Sequence, residues 1–258
     1  MRNLSCFALS FLAVVACGSS AQDDDKRGVL GRLELTYATS YCVLDCAPRI
    51  AIATGARVTL LAKGDDPEAR YHGRLSTAGL TVESEGLRCT CREEDENGAS
   101  SEGTIAPHEA CYAPEVKRCS RVFTMRANAP GPVTLELLGP TDELVDRVTL
   151  VVATPARLEP VVKTVRPTGG TIRTVMAAPD GAFDVDAPTQ VEPSAKVFDA
   201  DGAELHVEDG DVLFESPETK LRTGAFTKVL APGLLHVTAV GLGMKVPFTV
   251  RVGEARPR

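Results

Sequence analysis

The sequence contains no tryptophan, and among its 258 residues only four are tyrosine and eight phenylalanine. Sugar-binding sites commonly use exposed aromatic rings as platforms, so this shortage counts against a lectin. Positive charge is also short: 28 Lys and Arg stand against 35 Asp and Glu, a formal net charge of −7. An acidic balance gives no general attraction to anionic lipid headgroups or to nucleic acid, and no nucleic-acid partner is expected. Histidine occurs four times, as His72, His108, His206 and His236. No Gly-x-Ser-x-Gly, His-Glu-x-x-His, phosphate-binding loop or dinucleotide fingerprint is present. With neither a nucleophile–base motif nor a metal motif, the chain reads as no enzyme and needs no cofactor. After the first 16 residues no apolar run approaches the roughly 20 residues of a membrane-spanning helix, and no long stretch has helical apolar spacing.

What is present begins with a leader. Arg2 supplies a positive start, and the uncharged run Leu4–Ala16 follows. As a helix that run rises only about 20 Å against a hydrocarbon core of about 30 Å, so it reads as a cleaved export signal. Next comes "CGSSAQDDDKRG", small and then highly polar, the composition of a solvated tether.

Val14-Val15-Ala16-Cys17 resembles the lipobox of bacterial lipoproteins: apolar at −3, small at −1, Cys at +1. The resemblance implies that residues 1–16 are removed, that Cys17 becomes the first residue, and that its sulfur and new amino group are acylated. Several acyl chains hold a protein at a membrane where one holds it marginally, so the membrane is an expected partner through Cys17. Gly18 instead of Asp after that cysteine resembles the outer-membrane sorting pattern of Gram-negative lipoproteins. The alternative is an ordinary signal peptide with an incidental cysteine. The expected location is the cell envelope, lipid-anchored.

The remainder, long enough for two ordinary domains, alternates in short runs. "VPFTVRV" puts Val246, Phe248, Val250 and Val252 on one face, and "VTLEL" does the same with Val133, Leu135 and Leu137. Period-two alternation with β-branched residues marks strands with one buried face. Pro247 within such a run belongs where the backbone needs no donor. Internal similarity runs through both halves in the same order. "RLELTYAT" from Arg32 parallels "RLEPVVKT" from Arg157, "GARVTLLAKGDD" parallels "SAKVFDADGAE", and "APGPVTLELL" parallels "APGLLHVTAV". The expected fold class is all-β, two β-sandwiches in tandem.

The second half resembles bacterial Ig-like domains of the second group, which occur in tandem on surface proteins. The carrying residues are "AKVFDADGAEL", "VLFESP" and "APGLLHVTAV" leading into "FTVRV", with Phe214 where a tryptophan is often found. The resemblance implies an Ig-like β-sandwich over 155–253. The first half, 29–154, is similar at its two ends and interrupted over about 86–120; 17–28 is the tether and 254–258 a tail.

Six cysteines remain once Cys6 leaves with the signal and Cys17 is acylated: Cys42, Cys46, Cys89, Cys91, Cys111 and Cys119. An even number in an exported chain reads as three disulfides. Cys89 and Cys91 point to the same face of a strand and do not bond each other. Their simplest partners are Cys111 and Cys119, leaving Cys42 with Cys46; other pairings stay open. The alternative is a metal site, with Cys89, Cys91 and Cys111 as thiolates and His108 as imidazole, although the spacing is not the usual zinc knuckle. On composition, "CREEDENGASSEGTIAP" is too polar to fold by itself, so this acidic, stapled insertion is the expected contact surface.

"DADGAELHVEDGD", Asp199–Asp211, invites a calcium-loop reading with Asp199, Asp201 and Glu208, but a hairpin with an acidic turn fits its alternation better. "DDPE" at Asp65–Glu68 reads as a turn. His206 and His236 fall on polar-face positions of alternating runs, the place of a solvated side chain. The expected role is binding or scaffolding at the envelope toward a protein or cell-wall partner. A metal-binding lipoprotein is the alternative, and an envelope enzyme comes third.

Overall fold

A computed structural model of the chain describes residues 26–38, 48–65, 70–94, 100–105, 117–165, 171–187, 189–221, 225–229 and 232–254. The leader, Cys17, Cys42, Cys46, His108 and Cys111 lie outside these residues, as does most of the acidic turn after Asp65.

Every regular element described is a strand. The first half supplies β1 (Glu34–Tyr37), β2 (Ile52–Ala53), β3 (Arg57–Lys63), β4 (His72–Leu75), β5 (Leu80–Glu94) and β6 (Ser100–Ile105). β7 (Lys117–Ala127), β8 (Gly131–Leu138) and β9 (Leu144–Ala153) complete it. The second half supplies β10 (Arg157–Val165), β11 (Arg173–Val175), β12 (Phe183–Asp186), β13 (Thr189–Phe198) and β14 (Glu204–Leu205). β15 (Val212–Glu215), β16 (Thr227–Val229), β17 (Gly233–Gly241) and β18 (Met244–Gly253) follow.

Four sheets result, and none mixes strands from the two halves. In the first half a five-stranded sheet β1-β3-β7-β5-β6 faces a four-stranded sheet β2-β9-β8-β4; in the second, β11-β10-β13-β14, with β16 on β13, faces β12-β18-β17-β15. The two four-stranded sheets repeat one pattern. Each has a short strand parallel to the last strand of its half, β2 beside β9 and β12 beside β18, then the closing hairpin, then one antiparallel edge strand. Sequence segments that are similar thus occupy equivalent positions: β1 pairs with β3 as β10 pairs with β13. The chain is all-β, two β-sandwiches in tandem.

Alternation explains the cores. Val133, Leu135 and Leu137 are buried with Leu60, Phe123 and Leu150 between the first pair of sheets. Phe248, Val250 and Val252 are buried in the second, where Phe183 and Phe214 each meet Phe248 edge-on at 5.6 and 6.4 Å between ring centroids. Phe214 thus belongs to an aromatic trio in this core. Pro247 is accommodated by parity. Gly241 pairs with Met244 across the two-residue turn Leu242-Gly243, so Thr238 and Pro247 meet at a non-hydrogen-bonded position. The proline nitrogen then points away from β17, toward a side that β12, pairing only from Val250 onward, does not reach.

The insertion departs from its composition. Gly86–Cys91 and Lys117–Ser120 are not a separate loop but continue the core strands β5 and β7. β6 pairs with β5 from Cys89↔Ile105 to Glu94↔Ser100, although its residues are Ser, Glu, Gly and Thr around a single Ile. Backbone hydrogen bonds to an already fixed neighbour supply order that side-chain burial alone would not.

A buried carboxylate fixes where the chain enters the fold. Asp146, on β9, is 0 % exposed. Its oxygens accept hydrogen bonds from the backbone N–H of Leu30, Arg32 and Leu33 at 2.8, 2.8 and 2.9 Å, and from that of Arg147 at 2.8 Å. Gly28 lies so close that a Cβ there would stand 2.3 Å from the Asp146 carboxyl carbon, so only glycine fits. Replacing Asp146 with Ala strands three donors of the entering segment, and charge-assisted bonds of this kind contribute about 1.5–3 kcal/mol each before water replaces part of the loss. Asp146→Ala is expected to lower the unfolding free energy by about 2–4 kcal/mol in urea titration.

Candidate functional site

The cysteines staple the first sandwich where β5 and β7 leave the core. Cys89 and Cys119 face each other in the β5–β7 register and are bonded, with Cα atoms 4.1 Å apart and a sequence separation of 30. Cys91, on the same face of β5, is also disulfide-bonded. Neither Cys89 nor Cys91 therefore has a thiolate to offer zinc, and among the described residues no cluster of His, Cys, Asp or Glu is arranged to hold a metal.

Because Cys89 and Cys119 point inward, their neighbours point outward. Arg88 lies opposite Ser120, and Thr90 opposite Arg118. Glu34 pairs with Lys63, and the β3–β7 register brings Lys63 alongside Ser120. Glu34, Lys63, Ser120 and Arg88 thus form one rung across four strands on the open face of the sheet. Two adjoining hollows, of about 310 and 270 Å³, meet at this rung and share Glu34 and Lys63. The first is lined by Lys63, Arg88 and Arg118 with the hydroxyls of Thr36, Thr90 and Ser120. The second adds Lys26, Arg27 and Arg32. Among the described residues, six cations gather here against two carboxylates, Glu34 and Asp65, in a chain of net charge −7.

A second constellation joins the two sandwiches. His206 is only 9 % exposed, and its ring stacks on Tyr37 of the first sandwich, centroids 4.3 Å apart and planes 22° from parallel. The Tyr37 hydroxyl donates to the Ile50 carbonyl at 3.1 Å. The backbone of His206 brackets Ile52 on one edge of β2: its N–H donates to the Ala51 carbonyl at 2.7 Å, and its carbonyl accepts from the Ala53 N–H at 3.1 Å. Beyond it, Glu208 accepts from the N–H of Thr59, and Asp211 accepts from the N–H of Arg57 at 3.1 Å and of Glu208 at 2.8 Å. β1 pairs with β3 only from Leu60 to Lys63, so the N–H groups of Arg57 and Thr59 lie beyond its reach and take carboxylates from the other half. Leu242, held at a positive φ of 51°, closes the same contact against Gly55.

Burial sets the titration of this joint. It pushes the His206 imidazole down from 6.5 to about 4 and raises the carboxyls of Glu208 and Asp211 above the ordinary range. His206 is therefore neutral near pH 7, and its Nε2 is buried without a hydrogen-bond partner among the described residues.

No protein-family model matches the chain, and no curated protein matches it. Among solved structures it is similar to domains 5–6 of the S-layer protein SbsC, at 15 % identity over 79 % of this chain and 93 % of that one, with a TM-score of 0.28. It is similar also to the C-terminal domain of the Streptococcus agalactiae AgI/II polypeptide BspA, at 10 % identity over 84 % of this chain and 99 % of that one, with a TM-score of 0.27. At these TM-scores the chains do not superpose as wholes, and their functions say nothing of this one.

The sites suggested by sequence separate clearly. Asp199 does not look toward a metal: its Oδ1 accepts from the N–H of Asp201 and Ala203 at 3.0 and 2.8 Å, closing the β13–β14 hairpin with Gly202 at φ +85°. Glu208, the last ligand that a calcium loop would need, is turned to the first sandwich instead. His236 is solvent-facing as its alternation suggests, with Nδ1 2.6 Å from Glu218. His206 is not, because β14 ends at Leu205 and the chain then leaves its own sheet for the edge of β2. Ser216, Glu218 and His236 resemble a catalytic trio only in composition. The serine hydroxyl and the imidazole both bond the carboxylate, at 2.8 and 2.6 Å, so the pair that would activate a nucleophile is not formed. Asp146, Tyr37 and the cationic rung do not stand out in the sequence. Their partners are distant in the chain, and only the Glu208–Asp211 carboxylates leave a signal there, as an acidic run.

Two outcomes follow from the staple and the joint. Cys89 and Cys119 close a loop whose crosslink contributes about 3–4 kcal/mol by chain entropy, so Cys89→Ala/Cys119→Ala is expected to lower the urea unfolding free energy by about that amount. The imidazole of His206 holds a proton more weakly in the folded protein than in the unfolded chain. Its contribution is complete above pH about 6.5, declines as pH falls, and is gone below about 4. Glu208 and Asp211 act in the opposite sense, so the contrast is with His206→Phe, which keeps the stack. Between pH 6.5 and 4 the wild type is expected to lose up to about 3 kcal/mol relative to that variant in pH-dependent denaturation.

Proposed function

We propose that this is a lipid-anchored cell-envelope protein that binds or scaffolds, presenting two Ig-like sandwiches, over 29–154 and 155–253, to a protein or cell-wall partner. The observation that carries the reading is the disulfide Cys89–Cys119 between adjacent core strands, downstream of a Val-Val-Ala-Cys leader. Such a crosslink suits an oxidising compartment outside the cytoplasm, and the leader supplies both export and Cys17 as an anchor. The entering segment supports it as well: the loop at Leu30–Leu33, just after the proposed tether in sequence, is clasped by Asp146. Open sheet faces and no nucleophile–base pair among the described residues favour recognition over catalysis. The oxidised state of Cys89 and Cys91 argues against the metal-binding alternative.

The anchor is tested by metabolic labelling with palmitate. Wild-type protein is expected to incorporate label and to sediment with membranes, whereas Cys17→Ser is expected to incorporate none and to keep its leader. Equal labelling of both would overturn the assignment.

A further inference from the structure

We infer that the paired hollows on the open face of the β1-β3-β7-β5-β6 sheet form a binding site for a linear polyanion carrying closely spaced phosphate groups. This deepens the binding role proposed above by naming a ligand class, and it does not depend on whether Cys17 is acylated.

Three observations carry the inference. First, charge is segregated: among the described residues that line the hollows, six cations stand against Glu34 and Asp65, in a protein whose overall balance is acidic. Secondly, the donors suit phosphate. Arg88 and Arg118 lie on neighbouring strands two residues out of register, which sets their Cβ atoms about 7–8 Å apart, with the hydroxyls of Ser120 and Thr90 between them. Guanidinium forks, an ammonium and hydroxyl donors around one hollow match the several acceptor oxygens of a phosphate group. The Cys89–Cys119 bond lies directly beneath and fixes the spacing of the two strands that bear these arginines.

Thirdly, the geometry selects a chain over a single ion. Lys63 belongs to both hollows, so a ligand lying across it meets Arg88 and Arg118 on one side and Lys26, Arg27 and Arg32 on the other. Arg27, Arg32, Lys63, Arg88 and Arg118 are at least partly open to solvent, and water and salt weaken any one ion pair made there. A solitary phosphate would be held feebly. Successive phosphates on one backbone engage both hollows with only one loss of translational freedom, and the weak contacts then multiply.

The test is binding of inorganic polyphosphate to the full chain, measured by calorimetry between about 50 and 300 mM salt, beside orthophosphate, poly-glutamate, and vesicles of phosphatidylcholine with and without phosphatidylglycerol. Any acyl anchor contributes equally to both vesicles, and palmitate labelling reports on Cys17 separately. Polyphosphate is expected to bind at least about tenfold more tightly than orthophosphate per mole of ligand and to weaken steeply with salt. Lys63→Gln/Arg88→Gln is expected to lower affinity about tenfold and the salt slope by about two, while Lys245→Gln, an exposed cation on β18, leaves both unchanged. The site assignment is overturned if Lys63→Gln/Arg88→Gln binds like wild type, or if Lys245→Gln loses as much. Tighter binding of poly-glutamate, or a preference for phosphatidylglycerol vesicles over polyphosphate, would overturn the ligand class.

Discussion

Two carboxylates from the second half of the chain complete a strand of the first. Glu208 and Asp211 accept from the N–H groups of Thr59 and Arg57, the part of β3 that β1 does not reach. In a protein whose described elements are all strands, unsatisfied edge donors invite pairing with other chains, and they must be covered or capped. Here the cap comes from the neighbouring sandwich, so satisfying an edge and fixing the two halves to each other are one event. His206 extends the same logic to β2, adding its own N–H and carbonyl to a strand of only two residues. The stacked Tyr37 and the Leu242 turn then exclude water from the contact, which is why burial shifts the titration of His206, Glu208 and Asp211.

The first sandwich is organised around a different constraint, the two strands that run past its core. β5 has 15 residues and β7 has 11, and beyond the packed region little apolar surface holds them together. The Cys89–Cys119 bond takes over that task on the inner face, and the opposite face becomes free to carry charge. Arg88 and Arg118 sit side by side there although like charges repel, because the backbone ladder and the crosslink hold the strands together independently of what the outward side chains prefer.

Properties that depend on neighbours in sequence are legible in the sequence alone. The alternation of Val246, Phe248, Val250 and Val252 is a local period and reappears on one face of β18, where Phe248, Val250 and Val252 are buried. Pro247 fits because parity is also local. The separation of Cys89 and Cys91 from each other follows from their shared strand face, and Cys119 is where the simplest pairing puts one partner. What stays hidden is set by register between distant strands. Asp146 meets donors 113 to 116 residues away, and Glu208 meets Thr59 across 149. Net charge hides the cationic rung in the same way, since Glu34, Lys63, Ser120 and Arg88 become neighbours only when four strands align. Composition misjudges β6, because it weighs side chains and not the backbone of the strand next door.

Asp146 gives the molecule a mechanical character. A pull on the chain ahead of Lys26 travels into the loop at Leu30–Leu33 and arrives, through one carboxylate, near the turn end of the antiparallel pair β8–β9. The load is shared: the Lys26 carbonyl accepts from Leu35 and the Val29 N–H donates to the Arg147 carbonyl, beside the three donors held by Asp146. A fold clasped in this way resists a pull on its amino-terminal segment.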